Sequence, residues 1–393
     1  RKSPCSFGWD WGPHLASCGP WKSVRLVTWD GARITDLHVR QDHSQPGRVD
    51  LSVTVGVERA AVTGSALSGE VAVLREGRTI ARAETGVTAD RAEAALRIEN
   101  PELWWPNGMG GQPLYDVVVT LQNAGGEALD TTSRRIGLRT LRLDRHADRW
   151  GECFQFVVNG TAFFAKGANW IPADAFVTRL GPADYVRLVG DAAAANMNML
   201  RLWGGGIWER DEFYEACDER GICVWHDFMF SCSAYPSFDE AFLANVRAEA
   251  EENVRRLRHH PSIALWCGNN EIEQGFVGEA WTDRTMSWED YGRLFDRLLP
   301  EIVREVDPDR DYWPASPHTP VGDRRNFNDP ASGDAHLWEV WHGRRPFEWY
   351  RTCGHRFNSE FGFQSFPEPR TVESFTDPAD RNVTSWVMER HQR

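Results

Sequence analysis

The chain is expected to be multidomain: a (β/α)8 TIM barrel without its last strand, preceded by an immunoglobulin-like β-sandwich. Two changes of rhythm carry this expectation. Between about Ala32 and Leu141 apolar residues recur at every second position, whereas after about Leu143 short apolar runs alternate with helical stretches. At 393 residues there is room for two or three domains, each with its own core.

Taken in order, residues 1–32 hold Phe7-Gly8-Trp9-Asp10-Trp11-Gly12-Pro13 and a strand-like stretch at 21–29. This is too short for a domain and is expected to finish one that begins upstream. In 33–142, Val49, Leu51, Val53, Val55 and Val57 alternate with polar or small residues, the pattern of a half-buried strand. Similar runs at 69–75, 92–98, 115–121 and 134–143, separated by Gly, Pro and Asn, fit an immunoglobulin-like sandwich without the Cys…Trp…Cys signature. In 143–393 the expected parallel strands are 154–165, 199–204, 222–228, 263–267, 312–315, 335–338 and 357–361. Helices are expected at 182–196, 209–220, 239–258 and 291–306; Pro182 opens one, Gly221 closes another, and Pro261 follows a third. The chain ends in a helical stretch after the seventh strand, so closure calls for an eighth.

Composition narrows the function. Charged residues are 26% and hydrophobic ones 41%, as in ordinary globular proteins, and 44 Lys+Arg against 57 Asp+Glu give a net charge of −13. With no basic stripe, nucleic acid is not an expected partner. No apolar run reaches the roughly 20 residues of a membrane helix. The eight Cys form no CxxC or CxxH pattern and read as buried free thiols, with one disulfide pair left open. That usage and the preference for Arg over Lys point to a bacterial cytoplasm, with a secreted or lysosomal place left open. Asn159-Gly160-Thr161 and Asn382-Val383-Thr384 match the glycosylation pattern, which also arises by chance. Nineteen Trp is a marked excess, and their flat faces suit the C–H face of a pyranose as well as a large core.

Glu271 closes the run Ile263-Ala264-Leu265-Trp266-Cys267-Gly268-Asn269-Asn270-Glu271, and Glu360 lies in Phe357-Asn358-Ser359-Glu360-Phe361-Gly362-Phe363. A carboxylate at the end of an apolar strand costs several kcal/mol to bury unless it is paired or working. About three βα units of roughly 30 residues separate the two, placing both at the C-terminal mouth of a barrel. Paired carboxylates there are the equipment of glycoside hydrolysis; the alternative is two unrelated structural ion pairs. Arg201-Leu202-Trp203-Gly204-Gly205-Gly206 lacks the following Lys-Ser/Thr of a phosphate loop and is read as a substrate wall. Asn270 beside Glu271 is read as a sugar ligand or a structural turn. His226-Asp227 is a metal pair, a dyad, or two structural residues pointing opposite ways. The run from Asp334 to Trp338, which includes His336, is read as pocket lining. No zinc spacing appears, and neither metal nor cofactor is expected.

Together with Leu103-Trp104-Trp105-Pro106-Asn107-Gly108 and Gly167-Ala168-Asn169-Trp170-Ile171-Pro172, these runs resemble glycoside hydrolase family 2, in order and across essentially the whole chain. The Phe7–Pro13 run resembles that of its β-mannosidases. The resemblance implies that residues 1–32 end a jelly-roll sugar-binding domain. It further implies that Glu271 is the acid/base and Glu360 the nucleophile of a retaining exo-β-mannosidase acting on β-mannoside oligosaccharides or glycans. Trp9 and Asp10 would hold the terminal mannose, while Asn270, Trp203, Arg201 and Trp338 line the pocket. β-Galactosidases, β-glucuronidases and exo-β-glucosaminidases share the Glu pair. On this reading Glu271 is expected to be protonated near neutral pH, its pKa raised by burial or by the second carboxylate's charge, and Glu360 to stay ionised with donors around it.

Overall fold

In the computed structural model, residues 4–9, 12–15, 19–60, 66–278, 285–320, 324 and 326–391 are described. Seven antiparallel strands form the first region: β1 (Ala32–Asp42), β2 (Arg48–Arg59), β3 (Leu67–Arg75), β4 (Arg78–Gly86), β5 (Arg91–Glu99), β6 (Tyr115–Asn123) and β7 (Ala128–Ile136). They make two sheets, β1-β2-β5 and β4-β3-β6-β7. Alternate residues of both sheets, among them Leu51, Val53, Val55, Val71, Val117 and Leu96, bury into one shared core. The sequence does not announce β1, because a bulge between Ile34 and Asp36 breaks its period of two. Nor does it announce β4, whose outward face is exposed. The expected run 134–143 is cut at Gly137, where a Cβ would meet Pro261 at 2.8 Å and Trp104 at 2.9 Å.

Short strands connect the sandwich to the rest: β8 (Leu141–Asp144), β9 (Ala147–Asp148), β10 (Gly151–Glu152), β11 (Gln155–Val158) and β12 (Thr161–Phe163). Here 154–165 is a hairpin and not the first parallel strand, which corrects the sequence reading. Asn159 and Gly160 both take left-handed φ, 48° and 78°, the conformation that turns a two-residue hairpin. The stretch 21–29 is also corrected: it holds no strand, having no ladder partner among the described residues.

The second region is α/β. A parallel sheet runs β13 (Gly167–Trp170), β14 (Met199–Leu202), β15 (Cys223–Asp227), β16 (Ile263–Cys267), β17 (Asp311–Trp313); β18 (Ala335–Leu337) and β19 (Asn358–Phe361) form a parallel pair. Between the strands lie α1 (Pro182–Ala194), α2 (Asp211–Arg220), α3 (Glu240–Leu257), and the succession α4 (Ile272–Val277), α5 (Trp288–Tyr291), α6 (Leu299–Val306). α7 (Pro369–Phe375) and α8 (Trp386–Arg390) follow β19.

Strand residues divide between two apolar layers. Leu200, Leu202, Val224 and Trp266 face the helices, while Met199, Cys223, Trp225, Leu265 and Cys267 face inward onto Phe154 and Phe156 of the hairpin region. Arg201 and Asp227 share the inward parity, and that brings them to the site. The seven described Cys are free, six of them buried; Cys18 lies outside the described residues. Among the described residues no helix is long and apolar enough to cross a membrane.

Candidate active site

The functional side chains sit at the C-terminal ends of the parallel strands. β14 carries Arg201 and β15 ends in Asp227. The turn after β16 holds Asn270 and Glu271, β18 carries His336, and β19 carries Glu360. Isolated parallel bridges, Ser231 with Asn270 and Asn270 with Ser316, carry the strand directions on into these loops.

Arg201 is buried and spreads its fork over four side chains. Its Nε and Nη2 reach Asp227 at 3.3 and 2.8 Å, Nη2 also reaches Asn270 Oδ1 at 2.7 Å, and Nη1 reaches Asn169 Oδ1 at 3.1 Å and Glu360 Oε1 at 2.5 Å. Burial works against this charge, but Asp227 and Glu360 outweigh it and hold the guanidinium firmly protonated. Glu360 Oε2 accepts from Trp338 Nε1 at 3.2 Å. Glu271 enters with a left-handed backbone, φ 60° and ψ 13°. Its Oε1 lies 2.7 Å from His336 Nδ1 and its Oε2 accepts from the Cys232 thiol at 3.3 Å. His336 Nδ1 is also 3.3 Å from Glu360 Oε2, so one ring nitrogen stands between the two carboxyls.

The electrostatics correct the sequence argument. Burial pushes both carboxyls up. At Glu271 the hydrogen bond and charge of His336, then Cys232 and Arg201, outweigh burial and leave it below the ordinary carboxylate range. At Glu360 burial prevails over His336 and Arg201, aided by the negative charge of Glu271, and leaves it above that range. These directions are the reverse of those expected for an acid at 271 and a nucleophile at 360. The physical reason is the histidine, whose position between the carboxyls the sequence does not reveal.

Of the residues singled out from sequence, Glu271, Glu360, Arg201, Asn270 and Trp338 converge. Trp203 is buried on the adjoining wall, its ring centroid 5.9 Å from that of Trp9. Asp10 lies outside the described residues. The glycine run serves that wall: a Cβ on Gly205 would fall 1.8 Å from the Trp203 ring, and one on Gly204 would fall 2.5 Å from Phe230 O. Asn270 does more than line the pocket, since Nδ2 donates to Ser231 Oγ and Cys232 Sγ while Oδ1 accepts from Arg201. His226 points away, onto Tyr214 and Trp208, leaving Asp227 alone to face the site. Asp227 was singled out only with His226 and Asp334 only as pocket lining, while the parts of Asn169, Cys232 and Ser316 and the placement of His336 were not read from sequence; polar residues inside short strand runs were the available clue.

A cavity of about 980 Å3, lined by Trp9, Trp21, Pro172, Phe176, Gly206 and Trp208, lies beside the carboxyl pair and not at it. Among the described residues, two groups bring three metal-ligating atoms within 4.8 Å of one another: Asp144, His146, Cys153, and Glu271, His336, Glu360. In the first, Arg142 and Gln155 occupy the Asp144 oxygens at 2.7 and 3.0 Å. In the second, the Arg201 guanidinium already supplies the positive charge. Neither has the character of a cation site.

Residues 32–139 match the profile of glycosyl hydrolases family 2. Over 408 aligned residues the chain is 38% identical to beta-mannosidase B of Emericella nidulans, covering 100% of this chain and 47% of that protein. The chain thus spans about half the length of the curated relatives it matches. The crystal structure of a β-D-mannosidase from Dictyoglomus thermophilum superposes with a TM-score of 0.89 at 41% identity, covering 100% of this chain and 48% of that one. An exo-chitosanase of Amycolatopsis orientalis, 22% identical with a TM-score of 0.67 over 90% of this chain and 40% of its own, shares the fold. With a β-sandwich followed by an α/β region and two strand-end glutamates, the chain is similar over its whole length to these β-mannosidases, and its residues 32–139 carry the profile of glycosyl hydrolases family 2.

Proposed function

We propose that the protein is a retaining exo-β-mannosidase that removes terminal β-D-mannose by double displacement. The observation that carries the reading is the approach of Glu271 and Glu360, which meet one histidine nitrogen at 2.7 and 3.3 Å and present oxygens within 4.8 Å of each other. Inverting pairs stand about 6.5–9.5 Å apart to admit a water, whereas retaining pairs stand about 5–5.5 Å apart. In the first step Glu360 attacks the anomeric carbon, Glu271 protonates the leaving oxygen, and the glycosidic bond breaks. In the second, Glu271 takes a proton from water, whose oxygen displaces the Glu360 ester. Arg201 and Trp338 fix Glu360 and stabilise its charge. The choice of mannoside rests on the two β-mannosidase relatives.

The domain reading belongs to the same proposal: the end of a jelly roll in 1–32, an immunoglobulin-like sandwich in 33–142 and a TIM barrel in 143–393. Asn169 Nδ2, at the end of β13, donates to Ser359 O of β19 at 3.2 Å. That contact spans the first and last parallel strands and supports closure. Trp9 against Trp203 supports a pocket blocked at the non-reducing end, with Asp10 beside Trp9 in sequence.

Mannose differs from glucose only in its axial O2, so discrimination falls to groups around C2. Asn270 is the candidate, since its Nδ2 contact to Cys232 sulfur is a weak one to exchange for a hydroxyl. The full-length enzyme is expected to prefer an aryl β-mannoside over the β-glucoside by orders of magnitude in kcat/KM. Equal or better turnover of a β-galactoside, β-glucuronide or β-glucosaminide refutes the substrate assignment. Initial release of α-mannose, followed by NMR, refutes retention.

A further inference from the structure

We propose that His336 is the proton partner of Glu271, and that Asp334, acting through Ser316, fixes the histidine tautomer that makes it so. The proposal rests on Glu271 being the acid/base, and hydrogen-bond accounting carries it. Asp334 is wholly buried, and its two oxygens receive four hydrogen bonds. The indole of Trp313 at 2.8 Å and the backbone N–H of His318 at 3.0 Å can only donate, and both reach Oδ1. The hydroxyls of Ser316 at 2.6 Å and Ser359 at 2.5 Å both reach Oδ2. A serine has one hydroxyl hydrogen. With that hydrogen directed to Asp334, Ser316 Oγ offers only lone pairs to His336 Nε2, 2.9 Å away. Nε2 therefore carries a hydrogen.

The other ring nitrogen faces Glu271 Oε1 at 2.7 Å and Glu360 Oε2 at 3.3 Å. A bare lone pair there would confront two oxygens, so one proton lies between Nδ1 and Glu271. The pair is either an imidazolium beside a carboxylate or a neutral imidazole accepting from the carboxylic acid, and the proton crosses between them. In the first step this proton passes through Glu271 Oε1 to the leaving oxygen, which keeps the electron pair of the broken bond. What remains is a carboxylate facing an unprotonated Nδ1, a stronger base than a carboxylate met by a neutral N–H donor. That base then takes the proton of the attacking water. Glu360 and Arg201 face the pair from β19 and β14, the Cys232 thiol from the loop after β15, and Asp334 from behind, with the Glu273–His318 pair beyond it.

The test uses Asp334→Asn and Ser316→Ala in the full chain. In Asp334→Asn the amide oxygen must stay with the two obligate donors, so its NH2 faces the serines. Ser316 then turns its hydrogen to Nε2, and Nδ1 becomes a fixed neutral donor. The high-pH limb of kcat/KM is expected to move down by about one pH unit or more. Aryl mannosides with poor leaving groups are expected to lose about tenfold or more relative to activated ones. Ser316→Ala removes the acceptor without adding bulk; it should move both readouts the same way and decides the matter should Asp334→Asn fail to fold. Well-folded variants with an unmoved limb, or with equal losses for every leaving group, overturn the proposal. Glu271→Ala separates the two levels. If it fails to discriminate leaving groups, the acid/base assignment falls; if it discriminates and the other two variants do not, only the proton partnership falls.

Discussion

Arg201 shows how one side chain can hold a site together. Its fork joins Asp227, Asn169, Asn270 and Glu360 in a buried setting. Removing the positive partner of buried carboxylates leaves their charges uncompensated. Arg201→Met is therefore expected to lower stability by about 3–5 kcal/mol in denaturant titration. Arg201 also opposes the upward displacement of Glu360, so its loss raises that carboxyl further. On the proposed function, activity requires ionised Glu360 and is lost as pH falls through its pKa, so in Arg201→Lys, which cannot fork, the low-pH limb should move to higher pH. An unmoved limb with full activity would show that Arg201 plays no part in holding Glu360. Glu360→Ala should abolish turnover, while Glu271→Ala should retain activated substrates and recover deglycosylation with azide; losses under about tenfold in both would sink the catalytic pair. The two glutamates were legible because each ends an apolar strand. The part played by His336 was not, because it depends on which way a ring nitrogen points across to another strand.

Close backbone approach decides what individual elements tolerate. A Cβ on Gly167, at the start of β13, would lie 1.7 Å from Met199 O on β14. Gly190, inside α1, has nothing within 4 Å of such an atom. Gly190→Ala should thus stabilise by about 0.5–1 kcal/mol through helix propensity. Gly167→Ala should force β13 off its neighbour and cost more than any such gain, which thermal melts of the pair would show. β16, Ile263–Cys267, was readable from sequence to the residue because every position in it is buried and apolar. β13 was not, since Gly167, Ala168 and Asn169 offer no apolar run. The hairpin before it took its place in the reading because the turn at Asn159-Gly160 was taken only as a glycosylation match.

At the scale of the molecule, the sandwich and the α/β region are joined by buried and part-buried polar contacts. Arg139 donates to Pro261 O and Ile263 O at 2.9 and 2.8 Å, Trp104 Nε1 donates to Asp218 O at 2.8 Å, and Arg258 grips Asp36 at 2.8 and 2.7 Å. Trp104 is wholly buried at this junction. Trp104→Ala is expected to cost about 3–5 kcal/mol and to split one calorimetric transition into two as the regions uncouple. A single transition at the original temperature would show that the regions do not depend on this joint. The order of sandwich and α/β region was legible in the change of period. The joint itself was not, because a Trp in a Trp-rich chain gives no sign of which neighbour it packs against.

If Glu271 is the acid/base of the proposed function, its left-handed backbone sets catalysis against durability. An L-residue held in that conformation gives up roughly 1–2 kcal/mol, and here the residue must also hold a mostly buried carboxyl. Glycine adopts φ 60° without penalty and brings no charge. Glu271→Gly should therefore be a variant slow in turnover that melts above the parent, and thermal melts of the two proteins check this. On the proposed mechanism it would also be the better protein for trapping the glycosyl-enzyme in crystals, since the change that slows deglycosylation hardens the scaffold around it.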